Sequence, residues 1–261
     1  MKTLYFNCDM GAAGDMLTAA LLELLPDKQA FLDKINTLGI PGVVVSAEPS
    51  VKRGVSGTHV MVSVNGTLEE SKDADDHDDH YHEGSRDHHE HRHSDLREIE
   101  HEISHLPLSE RVRQDALAVY RLIAKAESQV HGQPVGEVHF HEVGSKDAIA
   151  DIVGVCLLIE ALSPGRILAS PIHVGSGHVR CAHGILTVPA PATALILRGV
   201  PTYGGSVPGE LCTPTGAALL KYFVSGFGEM PVMESVQTGY GMGTKDFESA
   251  NCVRAILGES V

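Results

Sequence analysis

The stretch from residue 67 to residue 94 shows no apolar periodicity, so any core must be assembled from the sequence on either side of it. Between Thr67 and Asp95 stand eleven Asp or Glu against three Lys or Arg, and His77, His80, His82, His88, His89, His91 and His93 are interleaved with the acids. Such a segment buries too little apolar surface to offset the entropy of ordering it. It is expected to be a disordered, metal-binding insertion. It also carries −8 of the chain's formal charge of −14. The remainder is spread thinly and offers no basic face for phosphate backbones, which argues against nucleic acid as a partner.

The flanks read as alternating strands and helices. Thr3 to Asn7 is a short apolar strand that runs into the loop Cys8-Asp9-Met10-Gly11-Ala12-Ala13-Gly14-Asp15 and then a helix over Met16 to Leu25. A second helix is expected over Asp27 to Leu38, and Val43 to Glu48 and Thr58 to Val64 alternate as a strand pair around Lys52-Arg53-Gly54. Past the insertion, helical spacing returns at Leu96, Ile99 and Ile103 and again from Val112 to Val130, stopped by Gly132 and Pro134. Glu137 to Glu142 alternates as a strand, and Ser145 can cap a helix reaching about Leu162. Arg166 to Val174 and Val253 to Leu257 are further strands. The fold class is therefore α/β (mixed α+β), with strands and helices alternating around a mixed sheet. Its organisation is an N-terminal segment 1–66, the insertion 67–94, and a remainder 95–261 of the same domain. No apolar run approaches the ~20 residues of a membrane helix. The five cysteines form no C-x-x-C pair, so thiols and a cytoplasmic location are expected.

Four stretches carry residues suited to chemistry. In His139-Phe140-His141-Glu142-Val143-Gly144-Ser145-Lys146-Asp147, the two histidines share one face of a strand. Asp147 and Asp151 follow at i and i+4 on the next helix. His139, His141, Asp147 and Asp151 could thus converge on a divalent ion, or one His could pack while the acids pair with surface bases. Imidazole favours Ni, Zn or Cu, and the spacing alone leaves the metal open. Cys181 and His183 lie in a Gly-rich hairpin sequence and could add a soft donor and an imidazole. The loop with Asp9, Gly11, Gly14 and Asp15 opens a helix and could take a metal-bound phosphate, although it is neither a dinucleotide fingerprint nor a Walker loop. Thr213, Thr215 and Gly216 open another helix around Pro214, either as a plain cap or as an anion site.

Taken in order, Asp9-Met-Gly-Ala-Ala-Gly-Asp15, the His-rich insertion, Val130-His131-Gly132, Phe140-His141-Glu142-Val143-Gly144 with Asp147 and Asp151, His183-Gly184, Pro189-Ala190-Pro191-Ala192-Thr193 and Glu210-Leu-Cys-Thr-Pro-Thr-Gly-Ala-Ala218 resemble the N-terminal part of the LarC-type nickel-insertion proteins. The resemblance implies insertion of Ni(II) into pyridinium-3,5-bisthiocarboxylic acid mononucleotide, a lyase-class metallation that makes the nickel-pincer cofactor of lactate racemase. It implies CTP with Mg or Mn acting through a C-terminal half of the protein, and an oligomeric assembly. Within it, His141, Glu142 and Lys146 are the expected catalytic groups, with Cys181 and His183 handing over nickel. The insertion histidines are expected to buffer nickel. A non-catalytic nickel store or delivery chaperone is the competing reading.

Overall fold

The computed structural model of the chain describes residues 1–68, 94–140, 146–181 and 184–260. In chain order its elements begin with β1 (Lys2–Asn7), α1 (Gly14–Leu22), α2 (Lys28–Asn36), β2 (Val43–Lys52), β3 (Val55–Val64) and β4 (Thr67–Leu68). Beyond the insertion come β5 (Ser94–Asp95), α3 (Leu96–His105), α4 (Glu110–His131), β6 (His139–Phe140), α5 (Lys146–Leu162), β7 (Arg166–Ala169), β8 (Ile172–His173), β9 (Gly175–Ser176), β10 (His178–Cys181) and β11 (Gly184–Thr187). The chain closes with α6 (Pro191–Ile196), β12 (Thr202–Tyr203), β13 (Gly209–Glu210), α7 (Pro214–Phe223), β14 (Gly226–Phe227), β15 (Met233–Met242) and β16 (Cys252–Ser260).

One mixed sheet organises these elements, in the order β14-β7-β1-β16-β15-β3-β2 with β4 on β3. It draws strands from both sides of the insertion. β1 runs parallel to β7 and antiparallel to β16, so the first strand is clamped between two late ones. β2 and β3 form a hairpin over ten paired positions, turned by Arg53 (φ 51°) and Gly54 (φ 81°), the two positive dihedrals that a two-residue hairpin turn requires. The large core joins the sheet to α1, α4, α5 and α7.

Three elements differ from the sequence expectation. The strand expected from Arg166 to Val174 breaks at Pro171 into β7 and β8, because proline cannot donate to a ladder. The strand expected from Glu137 to Glu142 is reduced, over its described residues, to His139–Phe140 after a 3₁₀ turn at Val135–Glu137. β15 lacks any clear strand signature in MESVQTGYGM, yet it is central. Its glycines explain why. A Cβ on Gly241 would sit 1.8 Å from the Met16 carbonyl oxygen, and one on Gly239 would sit 2.2 Å from that of Ala20, so α1 lies with its backbone against the strand. β15 and β3 share a single ladder position, Gly241 with Thr58. Glu23, just past α1, bridges them by accepting from the Thr58 hydroxyl at 2.8 Å and the Tyr240 N–H at 2.7 Å.

Gly241→Ala is expected to destabilise the chain by about 3 kcal/mol, because the clash is with helix backbone and no side chain can yield. Gly136→Ala, whose new methyl would have nothing nearer than 3.9 Å, serves as the control. Urea midpoints for the two variants measure this, and equal midpoints would show that α1 is not seated on β15 by backbone contact.

Candidate functional site

The site is built at the N-terminus of α1. Ala13 stands at the capping position and offers no side-chain acceptor, so the free N–H groups of the first turn need a partner from elsewhere. Asp151 supplies it from the second turn of α5, where its carboxylate accepts from the Asp15 N–H. The approach is close: a Cβ on Gly14 would lie 2.4 Å from Asp151 Oδ2, so only glycine fits there. The Asp15 carboxylate accepts from the Met16 N–H and its own. Asp147, one turn before Asp151, adds a third acid.

Burial pushes the Asp151 carboxyl well above the usual carboxylate range, and the charges of Asp15 and Asp147 push it further. Asp15 is raised too, mainly by burial and also by Asp147, against the N–H of Met16 and the nearby imidazole of His59. Asp147 Oδ1 and Asp151 Oδ1 are shielded from water and have no hydrogen-bond partner among the described residues. So is the hydroxyl of Tyr120 on α4, whose pKa is driven up by burial, Asp147, Asp151 and Glu102 in that order. Buried oxygens left this way are costly. Their chemistry suits an added divalent cation, which would neutralise the acids and occupy the empty lone pairs. Among the described residues no three His, Cys, Asp or Glu side chains are already gathered at ligand positions.

The phosphate candidates fall beside this cluster. Thr213 N–H donates to the Ala12 carbonyl at 3.1 Å, and Ala12 N–H to the Leu211 carbonyl at 3.0 Å, so the loop of residues 9–15 and the start of α7 form one packed unit. Their donors are already engaged. Gly11 N–H donates to Cys8 O at 3.0 Å, Asp15 N–H is taken by Asp151, and Thr213 Oγ1 caps α7 by accepting from Gly216 N–H at 3.2 Å. Thr213 thus does the work of a plain cap, with Thr215 buried behind it. A Cβ on Gly216 would lie 2.1 Å from Ala12 O, which explains the glycine without a ligand. Asp9 faces elsewhere, accepting from Asn7 Nδ2 at 2.9 Å and bonded to the Tyr203 side chain. His173, stacked on Tyr203, fastens that end of the loop between the carbonyls of Asp9 (2.8 Å) and Gly204 (2.9 Å).

Lys146 opens α5 and donates to the Pro41 carbonyl at 2.9 Å. Cys181 ends β10 in register with Gly184 across a hairpin. Cys8 is wholly buried, its thiol pushed up to about 12 by burial and by Asp9, so it packs as a neutral thiol. His139 pairs through its backbone with Asp95. His141, Glu142, His183, the capping Ser145 and the insertion histidines lie outside the described residues. Sequence reasoning missed Tyr120, Glu102 and His59. Tyr120 and His59 are isolated polar residues that no local pattern marks, and Glu102 stands in a Glu-x-x-His spacing on α3 masked by the denser run of histidines before it.

Comparison with known proteins gives the family of the chain. The family model described as "Nickel insertion protein" matches residues 4–261. The pyridinium-3,5-bisthiocarboxylic acid mononucleotide nickel insertion protein of Clostridium kluyveri is 41% identical over 260 residues, covering 99% of this chain and 62% of that protein. Its namesake in Geobacillus kaustophilus is 39% identical over 261 residues, covering 99% and 60%. The chain therefore spans about three fifths of the length of these curated relatives. No solved structure matches it. Among the described residues no helix is long and apolar enough to cross a membrane.

The raised carboxyls set a pH dependence. A carboxyl whose folded pKa lies above its unfolded value keeps its proton longer in the native state, so stability falls as pH rises from the ordinary carboxylate range through the raised value. Asp151→Asn keeps an acceptor for the Asp15 N–H and removes the charge. It should stabilise the metal-free chain at neutral pH by on the order of 1 kcal/mol and flatten that decline. Thermal melts of both proteins from acid to neutral pH measure this, and a variant less stable than wild type at neutral pH would refute the strained-carboxylate account.

Proposed function

The chain belongs to the nickel insertion protein family, and from that premise we propose that it carries the metal-handling part of an enzyme inserting Ni(II) into pyridinium-3,5-bisthiocarboxylic acid mononucleotide. The product is the nickel-pincer cofactor of lactate racemase, and the reaction is a lyase-class metallation. The observation that carries this reading is the trio Asp15, Asp147 and Asp151, with the shielded Oδ1 atoms of Asp147 and Asp151 at the start of α5 lacking hydrogen-bond partners among the described residues.

Metallation replaces the hydrogen on the ring carbon between the two thiocarboxylates by nickel. The C–H bond breaks, its electron pair becomes the carbon–nickel bond, the sulfurs donate two further pairs, and nickel stays divalent. One proton leaves. A carboxylate with a raised pKa is a better acceptor for it than an ordinary one, which suits Asp151, with His141 or Glu142 as the other candidates. Lys146 offers a cation for the phosphate of the mononucleotide. CTP with Mg or Mn acts, on this reading, through the additional length of the relatives.

The reading is tested with nickel, the mononucleotide, CTP and the full-length protein, following the product by mass spectrometry. Asp147→Ala and His141→Ala should each abolish product while melting cooperatively. Product at the wild-type rate from either variant would remove that residue from the reaction. Deleting residues 69–93, which spares the paired Thr67–Leu68 and Ser94–Asp95, should leave the rate unchanged at saturating nickel and lower it when nickel is scarce. Product formed with no dependence on any of these residues would favour the delivery chaperone.

A further inference from the structure

A cavity of about 540 Å³ lies between α3 and the chain that follows α2, walled by Leu38 and Pro41 on one side and by Glu98, His101, Glu102 and His105 on the other. The four α3 residues follow the spacing i, i+3, i+4, i+7 and so share one face, opposite the buried Leu96, Ile99 and Ile103. They form two successive Glu-x-x-His units, Glu98 to His101 and Glu102 to His105. That spacing lets one helix present a carboxylate and an imidazole to the same ion.

The imidazoles are arranged for it. Their ring centroids are 4.2 Å apart and tilted by 53°. His105 Nδ1 lies 2.8 Å from the His101 carbonyl oxygen, an acceptor only, so Nδ1 carries the proton and Nε2 keeps its lone pair. Fixing the tautomer through a backbone carbonyl is the usual way an imidazole is prepared for a metal. Glu102 lines the same cavity, and its Oε1 is shielded from water and has no hydrogen-bond partner among the described residues.

We infer that the His101 and His105 imidazoles form a second nickel site, a docking position from which the ion passes to the carboxylates of Asp15, Asp147 and Asp151. The inference rests on the nickel-handling reading above. Two imidazoles with water in the other positions hold nickel reversibly, as cargo requires. The cavity adjoins the carboxylate site through three links. Its wall residue Pro41 accepts from Lys146, the neighbour of Asp147. Asp95, another lining residue, pairs with His139 at the start of the segment leading to α5. The charges of Glu102 and of Asp147 and Asp151 all act on the Tyr120 hydroxyl.

Crystals of the full chain soaked in nickel chloride, with diffraction at the nickel edge, test the site directly. An anomalous peak between the two rings is expected, and His101→Gln/His105→Gln should lose that peak. Equilibrium dialysis at micromolar nickel should show the same variant binding one ion fewer per chain, with its melting temperature unchanged because both rings are exposed. A wild-type peak at Asp147 and Asp151 with none on the histidines overturns the docking site and leaves the insertion reading intact. Equal nickel binding by wild type and the double variant also overturns it. Loss of the ion in a variant that still forms product at saturating nickel is the result the docking role requires.

Discussion

The contact between the Asp151 carboxylate and the first turn of α1 ties the fold to its chemistry. α1 begins without a capping side chain of its own, and a helix so begun needs an acceptor for its free N–H groups. The acceptor comes from α5, far along the chain and on the other side of the insertion. Because Gly14 lets α5 approach and Gly241 lets β15 approach, α1 is gripped by backbone on the sheet side and by a carboxylate at its start. The loop before α1 then has its position set, and through Ala12 so has the start of α7. The helix dipole favours a carboxylate at that end, which is one reason acids can be concentrated there at all.

That concentration opposes stability. Three acids stand close together at the start of α1, the protons of Asp15 and Asp151 are held by burial and by the neighbouring charges, and two shielded oxygens of Asp147 and Asp151 have no partner among the described residues. A chain selected for stability alone would carry an amide or an apolar group at one of these positions. Retaining the acids makes sense where a divalent cation visits the site, since the strain of the empty state becomes part of the driving force for filling it. In the proposed reaction the ion would also leave again, in the product, so a complete preformed ligand cage would be a disadvantage.

The alternating architecture was legible because its signals are local: Gly and Pro punctuation, hairpin turn residues, and apolar spacing in α3 and α4. Asp147 and Asp151 were legible as a pair because i,i+4 spacing on a helix brings side chains together whatever the fold. What stayed hidden depends on contacts between distant segments. Asp15 reads in sequence as part of a Gly loop at a helix start, and only the packing of α1 on α5 makes it a neighbour of Asp147 and Asp151. The donors of Gly11 and Asp15 likewise look free until Cys8 and Asp151 are seen to take them. β15 hid for a related reason, because the glycines that weaken its strand pattern are the ones that α1 requires. The two Glu-x-x-His units of α3 were present in the sequence, masked by the much denser run of histidines just before them.

Donor chemistry gives the direction in which nickel would move through such a chain. The exposed imidazoles of His101 and His105 would bind it reversibly and are open to solvent. The carboxylates at the start of α1 are harder donors and less suited to nickel by ligand type, but they gain by having their mutual repulsion relieved. The mononucleotide finally offers two sulfurs and, once the ring proton is gone, a carbon, a donor set that oxygen ligands cannot match. Each step therefore exchanges one incomplete coordination shell for a better one, and only the last is hard to reverse. On this reading the three acids need not hold nickel tightly; they need to hold it beside the ring while a neighbouring carboxylate of raised basicity takes the proton.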